Sequence, residues 1–235
     1  MKAWYDLHIH STLSPCADRD MTPNNIAGMA KIKELDVIAV ADHNAAGNLE
    51  AVSKVCREYG ILFIPAMELE TREEFHTLCL FPTIDAAKEM EREVAKKLPS
   101  IRNDESVFGP QELYDEEDNI IGKAENLLSM ACDIRIEDAL SMVRELGGVP
   151  VPAHIDRPSY SIISNLGFIP KDFGINTAEV YNLEKLPELK MIHRYLEDYK
   201  IISDSDAHNL GLISERVNFL EVEELSVKGI LNALK

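Results

Sequence analysis

The chain has 235 residues, 46% of them hydrophobic, enough to bury the core of one well-packed domain. Its formal net charge of −17 argues against holding long nucleic acid on a basic face, and phosphate chemistry on so acidic a protein needs cations to reverse the local sign. No apolar run reaches transmembrane length and the opening MKAWYDLHIH lacks a signal-peptide core, so a soluble, cytoplasmic protein with no membrane partner is expected.

In chain order, Ala3–Leu7 reads as a first strand. Thr22 and Pro23 open a helix, as N-cap and first helical residue, running to about Leu35. Asp36–Ala41 is a buried strand, and Asn48–Tyr59 is a helix stopped by Gly60. Ile61–Ala66 and His76–Phe81 are further strands, followed by a charged helix over Ile84–Lys97. Residues 98–132 break this rhythm. The short apolar pieces Glu112–Tyr114 and Ile120–Ile121 flank the acidic turn Asp115–Asn119, which predicts a hairpin-bearing insertion. Ile134–Leu146 resumes as a helix closed by Gly147-Gly148, and Val149–Ala153 is a strand. Ala178–Tyr181, Lys200–Ser203 and Val217–Val222 are strands; Pro187–Tyr199 and Val227–Leu234 are helices.

Repeated strand–helix units predict a parallel sheet with helices outside, open or closed. The histidines favour closure. Of seven, six (His8, His10, His43, His76, His154 and His208) fall at or beside strand ends, and only His193 lies within a helix. A closed barrel gathers strand ends on one face, where metal ligands must converge. Asp6, His8 and His10 alternate along a strand, so all three are expected to face one side. Asp42-His43 and Glu68 each follow apolar strands, and Asp206-x-His208 repeats the two-residue spacing. Each piece alone has an ordinary reading as surface polarity or a satisfied core imidazole; their shared rim is what points to metal. Four cysteines form no C-x-x-C pair: Cys56, Cys79 and Cys132 read as buried apolar thiols, whereas Cys16 lies near the first histidine motif.

The motifs Asp6-Leu7-His8-Ile9-His10-Ser11, Ala41-Asp42-His43, Met67-Glu68, His76, Ala153-His154 and Ser205-Asp206-Ala207-His208 resemble those of the PHP (polymerase and histidinol phosphatase) family of metal-dependent phosphoesterases. The resemblance implies an α/β fold, a distorted seven-stranded (β/α) barrel, binding two or three divalent ions. It implies one site from His8, His10, Glu68 and Asp206, a second from Glu68, His76 and His154 with Glu68 bridging, and a third including His43 and His208. That family places a further Asp or His five or six residues past the second histidine, where this chain has Pro15 and Cys16. Asp18, Asp20 or the Cys16 thiolate are the substitutes, Asp18 being preferred.

Imidazole and carboxylate ligands suit Zn²⁺, Mn²⁺ or Fe²⁺ without choosing among them. Such ions lower the pKa of bound water to ~7 and clamp phosphoryl oxygens for in-line attack. Asp6 reads as a partner to the ligands. Arg157 either grips a phosphate oxygen or pairs with Asp156 on the surface. The insertion either overhangs the mouth or is peripheral. The expected function is hydrolysis of a small phosphate ester, such as a nucleotide, sugar phosphate or histidinol phosphate. The alternatives are an exonuclease or phosphodiesterase acting on short oligonucleotides, a non-catalytic metal-stabilised domain, and metal-assisted C–N hydrolysis, for which no strand-end lysine stands out.

Overall fold

The computed structural model describes all 235 residues. Ten strands run in chain order: β1 (Lys2–Ile9), β2 (Val37–Val40), β3 (Leu62–Glu70), β4 (His76–Leu80), β5 (Glu112–Tyr114), β6 (Ile120–Lys123), β7 (Val149–Pro152), β8 (Thr177–Glu179), β9 (Lys200–Ile202) and β10 (Phe219–Glu221). The α-helices are α1 (Pro23–Ile32), α2 (Leu49–Tyr59), α3 (Ile84–Ala95), α4 (Glu105–Phe108), α5 (Ile136–Glu145), α6 (Ile162–Leu166), α7 (Leu186–Ile192) and α8 (Val227–Leu234). None is long and apolar enough to cross a membrane.

The main sheet has the order β10-β1-β2-β3-β4-β7 and is mixed. β1, β2 and β3 are parallel as expected, but β4 pairs antiparallel with β3 and β7, and β10 antiparallel with β1. The reason for the β3–β4 reversal is length: the segment 71–75 makes a turn, too short for a parallel crossover. β8 and β9 form a separate parallel pair. Hydrogen bonds outside the ladders carry the ring onward. Ile155 N–H donates to the Glu179 carbonyl, linking the segment after β7 to β8, and His10 N–H donates to the Ala207 carbonyl, returning the chain after β9 to β1. Strands β1, β2, β3, β4, β7, β8 and β9 thus curl into a distorted barrel.

Period-two alternation divides the core. Val37 and Ala39, with Ala41 just past β2, Ile64 and Ala66 of β3, Leu78 and Leu80 of β4, and Val149 and Val151 of β7 fill the interior, closed below by Ile230, Leu231 and Leu234 of α8. The alternate residues Ile38, Val40, Phe63, Met67 and Cys79 face outward and pack beneath α1, α2, α3 and α5. Cys56 and Cys132 are buried in this outer layer too, and burial pushes both thiols up to about 12. α2 shows why: Leu49, Val52, Val55 and Cys56 recur at helical spacing, and Gly60 at φ +70° ends the helix.

Residues 98–132 contain the expected hairpin, β5–β6, but do not form a free overhang. Glu112 N–H donates to the Thr12 carbonyl, Asn44 donates to the carbonyls of Leu128 and Met130, and Gly109 (φ +98°) abuts the Pro15 carbonyl. The insertion therefore braces the loops after β1 and β2. The predicted helix over Pro187–Tyr199 breaks at His193, where α7 gives way to a 3₁₀ turn over Arg194–Asp198.

Candidate metal centre

Continuing the inward series past the apolar layers places the polar residues. After Val37, Ala39 and Ala41 the next inward residue is His43; after Ile64 and Ala66 it is Glu68; and above Leu80 and Leu78 it is His76. β1 differs. Tyr5 and Leu7 face the apolar interior, yet His8 and His10 enter the mouth, because the β1–β2 register shifts between Asp6 and Ile9. The irregularity breaks the two-residue alternation, so Asp6 does not share the histidines' side. Its carboxylate accepts from the amides of Ser205 (3.1 Å) and Ser214 (2.8 Å), which holds the chain around Asp206. Asp6 is thereby a positioning residue and is in none of the ligand groups.

Three overlapping groups form: His8, His10, Glu68 and Asp206; His43, Glu68 and His76; and His10, His43 and His208, the ligand-type atoms of each lying within 4.8 Å of one another. Glu68 is central. One of its oxygens lies 2.8 Å from His76 Nδ1, 3.1 Å from His154 Nε2 and 3.2 Å from His8 Nε2; the other lies 2.9 Å from His43 Nδ1 and 3.4 Å from His10 Nε2. Every predicted metal-ligand histidine, with Glu68 and Asp206, meets in this pocket. Asp18 does not. Its side chain is exposed and in none of the groups, while its amide donates to the His208 carbonyl at 2.8 Å. Cys16 of the same loop is exposed and also in none of the groups.

Hydrogen bonds around the pocket orient the rings. Ser14 Oγ gives its one hydrogen to Asp42 at 2.7 Å, so it accepts from His10 Nδ1 at 2.9 Å. His208 Nδ1 lies 2.8 Å from the Asp206 carbonyl, which only accepts, and His8 Nδ1 lies 2.9 Å from the Glu179 carboxylate. All three rings therefore carry hydrogen on Nδ1. For neutral rings this aims the Nε2 lone pairs of His8 and His10 at the oxygens of Glu68 and Asp206. Lone pair facing lone pair at ~3 Å repels unless a cation lies between them. His8 Nε2, His43 Nδ1 and Glu68 Oε2 are buried without hydrogen-bond partners, so the donor set fits divalent ions.

The local electrostatics agree. Burial opposes the charge of His8, but Glu179, Glu68 and Asp206 outweigh it and hold the imidazole well above its usual pKa. Burial likewise disfavours the Glu68 carboxylate, yet His76, His8 and His43 draw it well below the usual range. Protons thus occupy the place that a cation would fill. Burial raises Cys16, but the interactions with His208 and His43 prevail and bring it to about 6.

Arg157 pairs with Asp206 Oδ2 at 2.8 Å and lies over the Tyr181 ring, while Asp156 accepts from the amides of Tyr181 and Asn182. The surface pairing of Arg157 with Asp156 is thereby replaced. Tyr160 stacks on His76 with ring centroids 5.2 Å apart. His154 and Asp206 hold left-handed backbone, φ +32° and +48°. Sequence reasoning missed Glu179 and Ser14. Glu179 follows the apolar Ala178 at a strand end, the signal that Glu68 gives.

No protein-family model matches the chain. An uncharacterised protein of Methanocaldococcus jannaschii is 29% identical over 168 residues, 72% of this chain and 18% of that protein. The lesion-specific endonuclease EndoQ of Pyrococcus furiosus superposes on 100% of this chain with a TM-score of 0.72 and 22% identity; the chain spans 56% of it. Endonuclease Q has also been solved with a 27-mer duplex carrying an abasic lesion at the active site. A protein of Bifidobacterium adolescentis, classed as a metal-dependent phosphoesterase, matches over 97% of this chain and 96% of its own, with a TM-score of 0.64 and 18% identity. The fold of this chain is the α/β distorted barrel of these solved structures, the fold of the PHP domain.

Proposed function

We propose that the chain is a metal-dependent phosphoesterase acting on a small phosphate ester such as a nucleotide, sugar phosphate or histidinol phosphate. The observation that carries this reading is the convergence of His8 and His10 Nε2 with the oxygens of Glu68 and Asp206 in one buried pocket. His8, His10, Glu68 and Asp206 would hold one divalent ion, and Glu68, His76 and His154 a second. Bound ions would supply Lewis-acid polarisation of the phosphate and a lowered pKa for water. Glu179, Ser14 and the Asp206 carbonyl fix the imidazole tautomers, so the pocket needs no reorganisation on binding. Arg157, 35% exposed at the opening, turns its fork from Asp206 to a non-bridging phosphate oxygen. The ions also offset the acidic surface that would otherwise repel an anion.

Cleavage of a nucleotide diester in a short oligonucleotide is a second reading. It is favoured by Tyr160 and Tyr181, both over 40% exposed and beside His76 and Arg157, where bases can stack. The net charge alone is no ground for excluding longer nucleic acid, since a protein of the same fold takes a 27-mer duplex. The test is hydrolysis of p-nitrophenyl phosphate and its bis ester with Mn²⁺ or Zn²⁺. Activity that vanishes with chelator is expected; full activity in chelator would overturn the reading, and the ratio of the two rates separates monoesterase from diesterase action.

A further inference from the structure

We infer that the cleft beside the metal centre, walled by Tyr181 and floored by Ser203, holds the leaving group of the phosphate ester, and that this leaving group is a nucleoside. The inference rests on the phosphoesterase reading above and names its substrate class.

The cleft adjoins the cation pocket. The segments after β8 and β9 and the loop 212–218 before β10 enclose about 390 Å³, within the ~300–1,000 Å³ of small-ligand pockets. Its lining includes Ser205, the neighbour in sequence of Asp206, and Tyr181. Arg157 lies over the Tyr181 ring, its guanidinium carbon 4.3 Å from the centroid, and the same guanidinium reaches Asp206 at 2.8 Å. Arg157 is not itself in the cleft wall, so Tyr181 stands between the phosphate grip and the cleft. Asp156 accepts from the amides of Tyr181 and Asn182 at 2.7 and 3.0 Å, which fixes that wall before anything binds.

The chemistry of the walls selects the occupant. Ile202 faces the barrel interior, so Ser203 turns the other way and Asp204 turns back inward, where Leu7 N–H donates to its carboxylate. Ser203 is only 8% exposed, and its hydroxyl has no partner in the chain; its amide donates to Tyr5 Oη and its carbonyl accepts from Asn218 Nδ2. That bond leaves Asn218 Oδ1 as a free acceptor. Asn182 accepts from Glu184 N–H through Oδ1, which leaves Nδ2 as a free donor. No Lys, Arg or His lines the cleft, and its one carboxylate is the inward Asp204. Neither a second phosphate nor an ammonium group therefore finds a counter-charge there. Leu183, Leu212 and Val217, each over 40% exposed, make the rim apolar, which suits a flat ring better than a polyol. A heterocyclic base meets all of these demands: uncharged, with faces for Tyr181 and the rim, and with edge donors and acceptors for Ser203, Asn182 and Asn218.

The test is equilibrium dialysis of the full chain, with and without Zn²⁺, against adenosine, uridine, ribose and histidinol. A nucleoside is expected to bind at least tenfold more tightly than ribose or histidinol, and Tyr181→Leu and Ser203→Ala should each weaken it by about three- to tenfold. In steady-state kinetics with Mn²⁺ or Zn²⁺, the ratio of kcat/KM for a nucleoside monophosphate to that for methyl phosphate, which has nothing to place in the cleft, should fall by a similar factor in both variants. Nucleosides that bind no better than ribose, or variants that leave both the affinity and this ratio unchanged, overturn the inference; metal-dependent hydrolysis of p-nitrophenyl phosphate then leaves the phosphoesterase reading standing. Nucleoside binding by a chain that hydrolyses no phosphate ester overturns that reading and the leaving-group assignment with it.

Discussion

His8 Nδ1 lies 2.9 Å from a Glu179 oxygen, and the opposite ring nitrogen lies 3.2 Å from Glu68. One carboxylate thus fixes the hydrogen of the imidazole while the ring presents its other nitrogen to the pocket. Glu179 also accepts from His154 N–H at 2.7 Å, so it anchors two strand ends. Glu179→Ala should weaken metal binding about 10–100-fold. Glu179→Gln, which keeps an acceptor without the charge, should lose less. Competition titration against a chromogenic chelator measures both; an unchanged affinity in Glu179→Ala would remove this role.

His8 and His43 have raised pKa values, so they bind protons near neutrality that a cation must displace. Metal binding should release protons, and affinity should fall as pH falls. Calorimetry in buffers of different ionisation enthalpy counts the protons released. A heat independent of the buffer contradicts the expectation.

Arg157 joins Asp206 at the opening and is not part of the packed core. Arg157→Ala should leave the fold and metal content intact and lower kcat/KM by about ten- to a hundredfold, the loss of one or two charge-assisted hydrogen bonds at ~1.5–3 kcal/mol. Arg157→Lys should restore only part of this, because an ammonium lacks the planar fork. His193→Ala is the control. That ring sits at the break after α7, and its loss should change neither metal content nor rate.

A Cβ at Gly109 would lie 2.2 Å from the Pro15 carbonyl, and φ is +98°. Gly109→Ala should destabilise the protein by about 1–3 kcal/mol and loosen the loop that carries Cys16. Urea unfolding gives the first effect, and faster iodoacetamide labelling of Cys16 gives the second.

Where alternation is regular, the site was legible. His43, Glu68 and His76 each fall two residues beyond an inward apolar residue, which the sequence displays directly. The β1 irregularity was hidden, since no glycine or proline marks it, and Asp6 was accordingly grouped with the wrong face. The antiparallel turn of β4 could have been inferred from the shortness of 71–75. The bracing of the loop after β1 could not, because it comes from Gly109 of the insertion meeting Pro15, a contact between segments over ninety residues apart.

The left-handed backbone at His154 and Asp206 limits how this pocket can be re-engineered. Asn, Asp, His and Gly tolerate that conformation, and β-branched side chains resist it. Exchanging donors to favour another ion is therefore narrow at these two positions.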